Sequence, residues 1–294
     1  MTECWFTEDG ASRRRAIDTD QNRETEQIRN VVSAPVPGQQ GVSFVTVYSP
    51  ALRRRADITL FVPPGKPNQA LPLLILLHGV YGSHWNWAVL GNVPGTATEM
   101  FKEGSIGQFA IAMPSDGLWG DGSGYVVHRK LNAESWIMDD VPACVRVVCP
   151  ELQGERIFLA GQSMGGFGAL RIGAKYAPRV AGISAHSAVT SLTDLMPHVQ
   201  EPMREYQAAG KRDTDILYWM RRNRAQLPPV RFDCGTEDAL LESNRALHGA
   251  LLKERIPHSY EEYPGGHDWV YWQQHVRATL RFVSESAYGN ALRP

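Results

Sequence analysis

Short apolar runs alternate with amphipathic stretches along the chain from about residue 41 onward. Two β-branched runs come first, VSFVTVYS and ADITLFVP, and the polar turn between them predicts an antiparallel pair of strands. Helical patterns separate most of the runs that follow, so strands and helices alternate over most of the chain. The further strands are predicted over 73–77, 109–113, 157–160, 181–187, 230–234 and 259–263, and the helices over about 96–102, 135–148, 166–176, 239–255 and 269–286.

This order of elements predicts an α/β fold. Near-continuous apolar strands divided by helices are typical of a mostly parallel, twisted sheet with helices on both faces, and the runs amount to about eight strands. Residues 188–229 are too many for a plain connection, and TDILYWMRRNRAQ within them predicts a small helical insertion above the sheet. We therefore expect a single α/β domain over residues 41–294, with residues 188–229 as its insertion.

The first forty residues differ from the rest. Residues 1–40 are polar and charged and run into SAPVPGQQG, with too few apolar residues to build a core, which predicts a loosely ordered extension. They show no hydrophobic segment of a secretory signal. The longest apolar run, LPLLILLHGV, is strand-sized and shorter than the ~20 residues of a membrane span. We therefore expect a cytoplasmic protein without a membrane span.

Composition and charge exclude several classes of partner. The 294 residues are 43% hydrophobic and 21% charged, as in soluble globular proteins. A formal net charge of -1 creates no overall field that would recruit nucleic acid. The four cysteines are scattered without ligand spacing, which argues against a zinc site or a disulfide framework. Cys144 and Cys149 are expected to pack on one helix. A homo-oligomer is compatible with this composition and charge.

One serine stands between a strand pattern and a helix pattern. In RIFLAGQSMGGFGAL, residues 161–165 fit G-x-S-x-G, the sharp strand-to-helix turn that exposes a nucleophilic hydroxyl. Side chains two positions before and after the serine would collide with backbone there, so glycine fits. Ser163 is therefore the candidate nucleophile, and the Met164 amide at the helix N-terminus is a candidate oxyanion donor. The alternative is a glycine-rich turn with a solvated serine.

A serine nucleophile needs a general base, and the base needs an orienting carboxylate. The segment YPGGHDWVYW supplies His267 on a loop after the last predicted strand, and we favour it over the other eight histidines. The segment DCGTEDALL supplies the acid, for which Asp238 is favoured, Glu237 is next, and Asp233 is assigned to its strand. The resulting order of serine, acid and histidine is the one expected for this kind of strand-turn-helix nucleophile.

The loops that follow the predicted strands carry the remaining candidates. LLHGVYGSHWNW follows the third strand, and the amide of Val80 there is the second candidate oxyanion donor. Loops at the carboxyl ends of parallel strands carry ligand sites, so we expect a substrate pocket among their aromatic residues. The alternative is that most of these side chains pack the loops together. The pocket candidates are Tyr81, Trp85, Trp119, Trp136, His186 and Trp269, with Trp87 and Tyr125 in the same loops.

Four motifs together resemble the putative-esterase group of α/β hydrolases: LLHGVYGSHWNW, AGQSMGGFGAL, CGTEDAL and PGGHDWVYW. This group includes tributyrin-type esterases, S-formylglutathione hydrolases, feruloyl and acetyl-xylan esterases, and mycolyltransferases. The resemblance runs from about residue 41 to about residue 286. It implies an α/β-hydrolase fold, a Ser163, Asp238 and His267 triad, oxyanion amides at Val80 and Met164, and no metal or organic cofactor.

The expected function is hydrolysis of short-chain acyl or aryl carboxylic esters through an acyl-enzyme. Two departures bear on the substrate: the oxyanion loop GVYGSHWNW lacks the cysteine common in S-formylglutathione hydrolases, and no export signal is visible. The closest likeness is therefore to tributyrin-type esterases that act inside the cell. Thioester hydrolysis of S-formylglutathione, acyl transfer to an alcohol, and a non-catalytic binding protein on this scaffold remain as alternatives.

Overall fold

The apolar runs form a nine-stranded sheet in a computed structural model of the chain, which describes residues 28–65, 70–150, 152 and 156–289. Eight of the nine strands follow the predicted runs to within one or two residues at each end. The strands are β1 (Arg29–Pro35), β2 (Val42–Ser49), β3 (Arg54–Phe61), β4 (Leu73–Leu77), β5 (Ala110–Pro114), β6 (Ile157–Gln162), β7 (Val180–His186), β8 (Val230–Gly235) and β9 (Ser259–Tyr263).

The strand order across the sheet is β1-β2-β3-β5-β4-β6-β7-β8-β9. The pairs β1–β2, β2–β3 and β3–β5 are antiparallel, and every neighbouring pair from β5 to β9 is parallel. The expected count of about eight strands is one short, because β1 lies within the segment predicted as a loose extension. Val31 is its only buried residue, so backbone pairing with β2 holds it in place. Residues 1–27 of that extension lie outside the described residues.

Ten α-helices occur within the described part of the chain. The predicted helix over 135–148 is the one that differs most, because residues Trp136–Asp140 adopt a π-helical turn between two α-helical pieces. The helices are α1 (Asn86–Val89), α2 (Val93–Lys102), α3 (Ala133–Ser135), α4 (Val141–Val148), α5 (Met164–Lys175), α6 (Leu192–Leu195), α7 (Met203–Tyr206), α8 (Ile216–Arg222), α9 (Leu241–Lys253) and α10 (Trp269–Tyr288).

Proline explains the interruption before α4. Pro142 has no N–H to donate to the carbonyl of Met138, four residues earlier, so the α-helical ladder cannot continue there. The guanidinium of Arg179 donates to that carbonyl instead. Cys144 lies in α4 and Cys149 follows it, and both are buried. Burial raises the pKa of the Cys144 thiol to about 12, which suits a packing role.

Helices cover both faces of the sheet. Leu74 and Leu76 of β4 face an apolar layer shared with α2 and α10, whereas Ile75 and Leu77 face a layer shared with α4 and α5. Successive side chains of a strand point to opposite faces, so the fully buried strands β4, β5, β6 and β8 need a layer on each side. The predicted α/β fold with a mostly parallel sheet is confirmed.

The insertion, residues 188–229, contains α6, α7 and α8 and is held to α5 by buried charges. The Arg171 guanidinium is fully buried and lies 2.6 Å from Glu134 and 3.2 Å from Asp213 of the insertion. Lys175 is 2.6 Å from the same Asp213. Burial alone would raise the pKa of Glu134, but Arg171 and Lys175 hold it below its ordinary value. The insertion is therefore tied to the helix that follows Ser163.

A second buried network joins the ends of β7 and β8. The Asp233 carboxylate accepts hydrogen bonds from Arg231 at 2.5 Å, from the His186 ring at 3.0 Å and from the Tyr271 hydroxyl at 2.8 Å. Burial favours the neutral carboxyl, but His186 and then Arg231 hold the pKa of Asp233 far below its ordinary value. Because this folded-state pKa is depressed, the stabilisation is present above about pH 4 and is lost as pH falls further.

Replacing Arg231 with methionine is expected to lower the free energy of unfolding by about 3–5 kcal/mol, because it leaves a buried carboxylate without its cation. Urea unfolding followed by circular dichroism measures this change. As a control, Arg221→Met removes an ion pair with Glu254 that is 52% exposed on the arginine side, and is expected to cost about 1 kcal/mol or less. Equal losses in the two variants would contradict a structural role for the Arg231 pair.

Two absences hold for the part of the chain that the structure describes. None of its helices combines the length and apolar character needed to cross a membrane. No group of three or more His, Cys, Asp or Glu side chains in that part is arranged to hold a metal ion.

Candidate active site

Ser163 forms the turn between β6 and α5. Its backbone has φ 54° and ψ -121°, a conformation that costs energy for any residue with a side chain. Hydrogen bonds on both sides hold it there: the Ser163 N–H donates to the His186 carbonyl at 3.0 Å, and the Ser163 carbonyl accepts from the Val189 N–H at 3.1 Å. The strained serine is thus held between the end of β7 and the residues that follow it.

The two glycines of the motif allow close backbone approach. A Cβ atom on Gly161 would lie 2.5 Å from the backbone of Gly165, and a Cβ on Gly165 would lie 2.3 Å from the Leu77 carbonyl oxygen. Both distances are too short for any side chain. Glycine is therefore required because α5 begins against the end of β4, as the collision argument from the sequence predicted.

The structure brings Ser163, His267 and Asp238 into one hydrogen-bonded chain. The Ser163 Oγ atom lies 3.0 Å from His267 Nε2, and His267 Nδ1 lies 2.8 Å from Asp238 Oδ2. The Asp238 side chain is fully buried, whereas that of His267 is 34% exposed. The other two candidate acids lie elsewhere: Asp233 belongs to the buried network of β7 and β8, and Glu237 is exposed.

The charge of Asp238 is stabilised locally. Burial favours the neutral carboxyl, but the hydrogen bond and charge of His267, followed by the Leu240 N–H at 2.8 Å, hold the pKa of Asp238 below its ordinary value. An ionised Asp238 accepts only, so His267 carries its proton on Nδ1. The Nε2 lone pair then faces the Ser163 hydroxyl, which is the arrangement a general base needs.

Aromatic side chains pack around His267. The Trp272 ring meets the His267 ring edge-on with centroids 5.0 Å apart, and Trp269 lies 5.1 Å from Trp272 and 5.3 Å from Trp87. Trp272 was absent from the sequence candidates. Its position in α10, four residues before buried Val276, is the signal that places it on the inner face of that helix. The contact with Trp272, itself packed against Trp269, limits the orientations open to the His267 imidazole.

The two candidate oxyanion amides lie at neighbouring chain turns. Val80 is in the turn after β4, and Met164 is the first residue of α5. In the described part of the chain, neither backbone N–H donates to a protein acceptor. Their side chains converge on Gly122, where a Cβ would lie 2.5 Å from Met164 Sδ and 3.2 Å from Val80 Cγ1. Both amides are thus available beside the serine turn.

A neutral histidine organises the turn that contains Val80. The Nδ1–H of His78 donates to the Gly79 carbonyl at 2.7 Å, and His78 Nε2 accepts the Asp116 N–H at 3.1 Å. Burial lowers the pKa of His78, so the ring stays neutral and can serve one donor and one acceptor. The loop after β4 is therefore fastened to the loop after β5.

Two of the predicted pocket residues face the interior instead. Trp136 is fully buried in the core and donates its indole N–H to the Ser115 carbonyl at 2.7 Å. His186 is also fully buried, with one ring nitrogen 3.0 Å from Asp233 and the other 2.7 Å from Thr279. The prediction that they line the pocket is wrong, because buried polar groups take the partners that satisfy them inside the protein.

The other four pocket candidates lie at or near the surface. Tyr81 is 71% exposed and Trp85 is 41% exposed, while Trp119 and Trp269 are half-buried. Trp119 stacks on His128 with ring centroids 3.8 Å apart. Their role in binding a substrate stays a prediction.

Trp87 and Tyr125 match the alternative reading, that loop aromatics pack the loops together. Both are buried. Trp87 donates to the Leu77 carbonyl at 2.8 Å, and the Tyr125 hydroxyl donates to the His78 carbonyl at 3.0 Å. Their hydrogen bonds hold the backbone at the point where β4 ends and the following loop begins.

Comparison with known proteins identifies the family. The family model described as Putative esterase matches residues 49–283. An acetyl esterase from Caldicellulosiruptor saccharolyticus is 25% identical over 269 residues, which cover 82% of this chain and 97% of that relative. The matched region includes the loop after β4, the serine turn and the loops that carry Asp238 and His267. The resemblance drawn from the four sequence motifs is thereby confirmed.

Solved structures agree on the fold. An S-formylglutathione hydrolase from Staphylococcus aureus has a TM-score of 0.70 at 21% identity, covering 83% of this chain and 98% of that one. A ferulic acid esterase has a TM-score of 0.72 at 23% identity, with coverage of 83% and 98%. These likenesses show that the chain has the fold of α/β-hydrolase esterases. The chain belongs to the Putative esterase family and is an ester-hydrolysing serine hydrolase.

Proposed function

We propose that the protein hydrolyses short-chain acyl or aryl carboxylic esters with Ser163 as nucleophile, His267 as general base and acid, and Asp238 as the orienting carboxylate. The observation that carries this proposal is the chain of two hydrogen bonds, 3.0 Å from Ser163 Oγ to His267 Nε2 and 2.8 Å from His267 Nδ1 to Asp238. The His267 side chain is 34% exposed, so the imidazole can be reached from the protein surface.

The reaction follows from these contacts in two halves. Ser163 Oγ attacks the ester carbonyl carbon while His267 Nε2 takes the hydroxyl proton, and the resulting oxyanion accepts hydrogen bonds from the Val80 and Met164 amides. The imidazolium then protonates the leaving alcohol as the carbon–oxygen bond breaks. Water next attacks the acyl-enzyme with His267 taking its proton, and the acid product leaves when that proton returns to Ser163.

The rim of the site supports small acyl or aryl groups. Tyr81 and Trp85 follow β4 and Trp269 begins α10, and all three offer exposed or half-exposed aromatic surface. The similar acetyl esterase and ferulic acid esterase are named for a short acyl and an aryl group respectively. A thioester substrate is the alternative, supported by the structural likeness to an S-formylglutathione hydrolase. Hydrolysis rates for short acyl esters, feruloyl esters, acetylated sugars and S-formylglutathione distinguish these classes.

A fluorophosphonate probe is expected to attach once to the protein, at Ser163, because only a serine activated by a neighbouring base reacts readily. Intact mass spectrometry gives the number of adducts, and peptide mapping gives their position. Ser163→Ala is expected to remain unlabelled. The matched control Ser243→Ala removes a hydroxyl on α9, bonded to Asp194, and is expected to label as the wild type does. Labelling of Ser163→Ala to the wild-type extent would refute the assignment.

A further inference from the structure

One carboxylate of the helical insertion, that of Glu201, lies against the loop after β5. The Asp121 N–H points at both oxygens of Glu201, at 3.3 and 3.4 Å. Gly120 has φ 56°, and a Cβ atom there would lie 2.0 Å from Glu201 Oε1. The carboxylate thus rests directly on the loop backbone, at a position that only glycine leaves open.

Two further hydrogen bonds join the same two segments, and a third, within the insertion, links Tyr206 to Glu201. The Asp121 carboxylate accepts the Gln200 N–H at 2.8 Å, so Asp121 bonds to the insertion through its side chain as well as through its backbone N–H. The Tyr206 hydroxyl donates to the Gly122 carbonyl at 2.9 Å and lies 3.4 Å from Glu201. Burial, followed by the charge of Glu201, raises the pKa of Tyr206 far above its ordinary value, so this hydroxyl stays a donor. Hydrogen bonds from the insertion therefore hold residues 120–122 in place.

Asp121 and Gly122 also contact Tyr81 and the side chains of the two residues whose amides are the candidate oxyanion donors. The Tyr81 N–H, which follows Val80, donates to the Asp121 carbonyl at 2.9 Å. The Tyr81 hydroxyl donates to the His198 carbonyl of the insertion. Gly122 lies against the side chains of Val80 and Met164. A shift of Asp121 or Gly122 would therefore move the Val80 amide relative to Ser163.

We propose that Glu201 is a positioning residue for ester hydrolysis: by holding Asp121 and Gly122 it sets the place of the Val80 amide that receives the oxyanion. This inference rests on the proposed function. The carboxylate does not touch the reacting atoms and acts through the loop after β5. The insertion therefore contributes to the site, because its Glu201 holds the residues of the loop after β5 that contact Tyr81 and Val80.

The test compares Glu201→Ala with Glu205→Ala. Glu205 lies in the same insertion, and its carboxylate is 3.7 Å from Arg204. Within the described residues that carboxylate makes no hydrogen bond to the loop after β5, although its charge acts on His128 of that loop. Glu201→Ala is expected to lower kcat and kcat/KM together by about 10-fold, less than the ~10²–10³-fold of deleting an oxyanion donor outright. KM is expected to change less than about two-fold, since the interaction serves the transition state. Glu205→Ala is expected to keep wild-type constants.

Hydrogen–deuterium exchange of the same variants separates this inference from the proposed function. Peptides covering 79–86 and 116–124 are expected to exchange faster in Glu201→Ala than in wild type and Glu205→Ala, whatever the identity of the nucleophile. Glu201→Gln keeps one acceptor oxygen and is expected to recover most of the lost kcat. Unchanged kcat in Glu201→Ala, or equal exchange in all variants, would overturn the positioning role. Activity retained by Ser163→Ala would instead refute the proposed function.

Discussion

Replacing Ser163 with alanine is expected to lower kcat for a short p-nitrophenyl ester by about 10⁶-fold, the size of loss found when a serine hydrolase is stripped of its nucleophile. In the proposed reaction this hydroxyl forms the covalent bond to the acyl group, and within the described residues His267 makes no hydrogen bond to another hydroxyl. Residual turnover would come from the oxyanion amides and substrate binding alone. Initial rates at saturating ester measure the effect.

The fold should survive this substitution. Ser163 Oγ has His267 as its hydrogen-bond partner, and the backbone bonds to His186 and Val189 do not depend on the side chain. Thermal unfolding of the variant is therefore the control for folding, and Ser243→Ala is the control for loss of a hydroxyl elsewhere. A wild-type rate in a folded Ser163→Ala enzyme would end the nucleophile assignment.

Replacing Asp238 with asparagine is expected to lower kcat by about 10⁴-fold with little change in KM. The amide can donate to His267 Nδ1, which would leave the ring proton on Nε2 and turn the lone pair away from Ser163. The pKa of Asp238 is held below its ordinary value, so the wild-type carboxylate stays ionised as pH falls through the usual carboxyl range. The pH dependence of kcat/KM for wild type and variant measures the loss.

Glu237→Gln is the matched control for Asp238→Asn. It makes the same chemical change at the neighbouring carboxylate, which the sequence left as the second candidate acid, and whose side chain is exposed. Its kcat is expected to stay within about two-fold of wild type, as for surface substitutions generally. If Glu237→Gln lost activity while Asp238→Asn kept it, the acid would have to be reassigned.

Much of the fold was visible as local pattern. The fully buried strands β4, β5, β6 and β8 appear in the sequence as continuous apolar runs because helices cover both faces. β1 escaped because it buries only Val31 and depends on pairing with β2, and pairing leaves no signal within a single strand. The π-helical turn before α4 does carry a local signal in Pro142, but the Met138 carbonyl that this proline leaves free is satisfied by Arg179, a residue 41 positions away.

The serine turn could be predicted because its constraints are local. Gly161 and Gly165 are needed within two residues of Ser163, and a strand and a helix flank them. Glu201 had no such signal. Its partner Asp121 is 80 positions away, and nothing in the residues around either one indicates that they meet.

Side-chain direction marks the boundary between what sequence and structure decide. Apolar periodicity and the G-x-S-x-G turn by themselves determined an α/β sheet with a serine at a strand end, because helix and strand periods and backbone sterics act over a few residues. Only the tertiary structure decided that His186 and Trp136 turn inward while His267 faces Ser163. The reason is that a buried polar group settles where distant chain segments supply its hydrogen-bond partners, and those distances exist only once the sheet has formed.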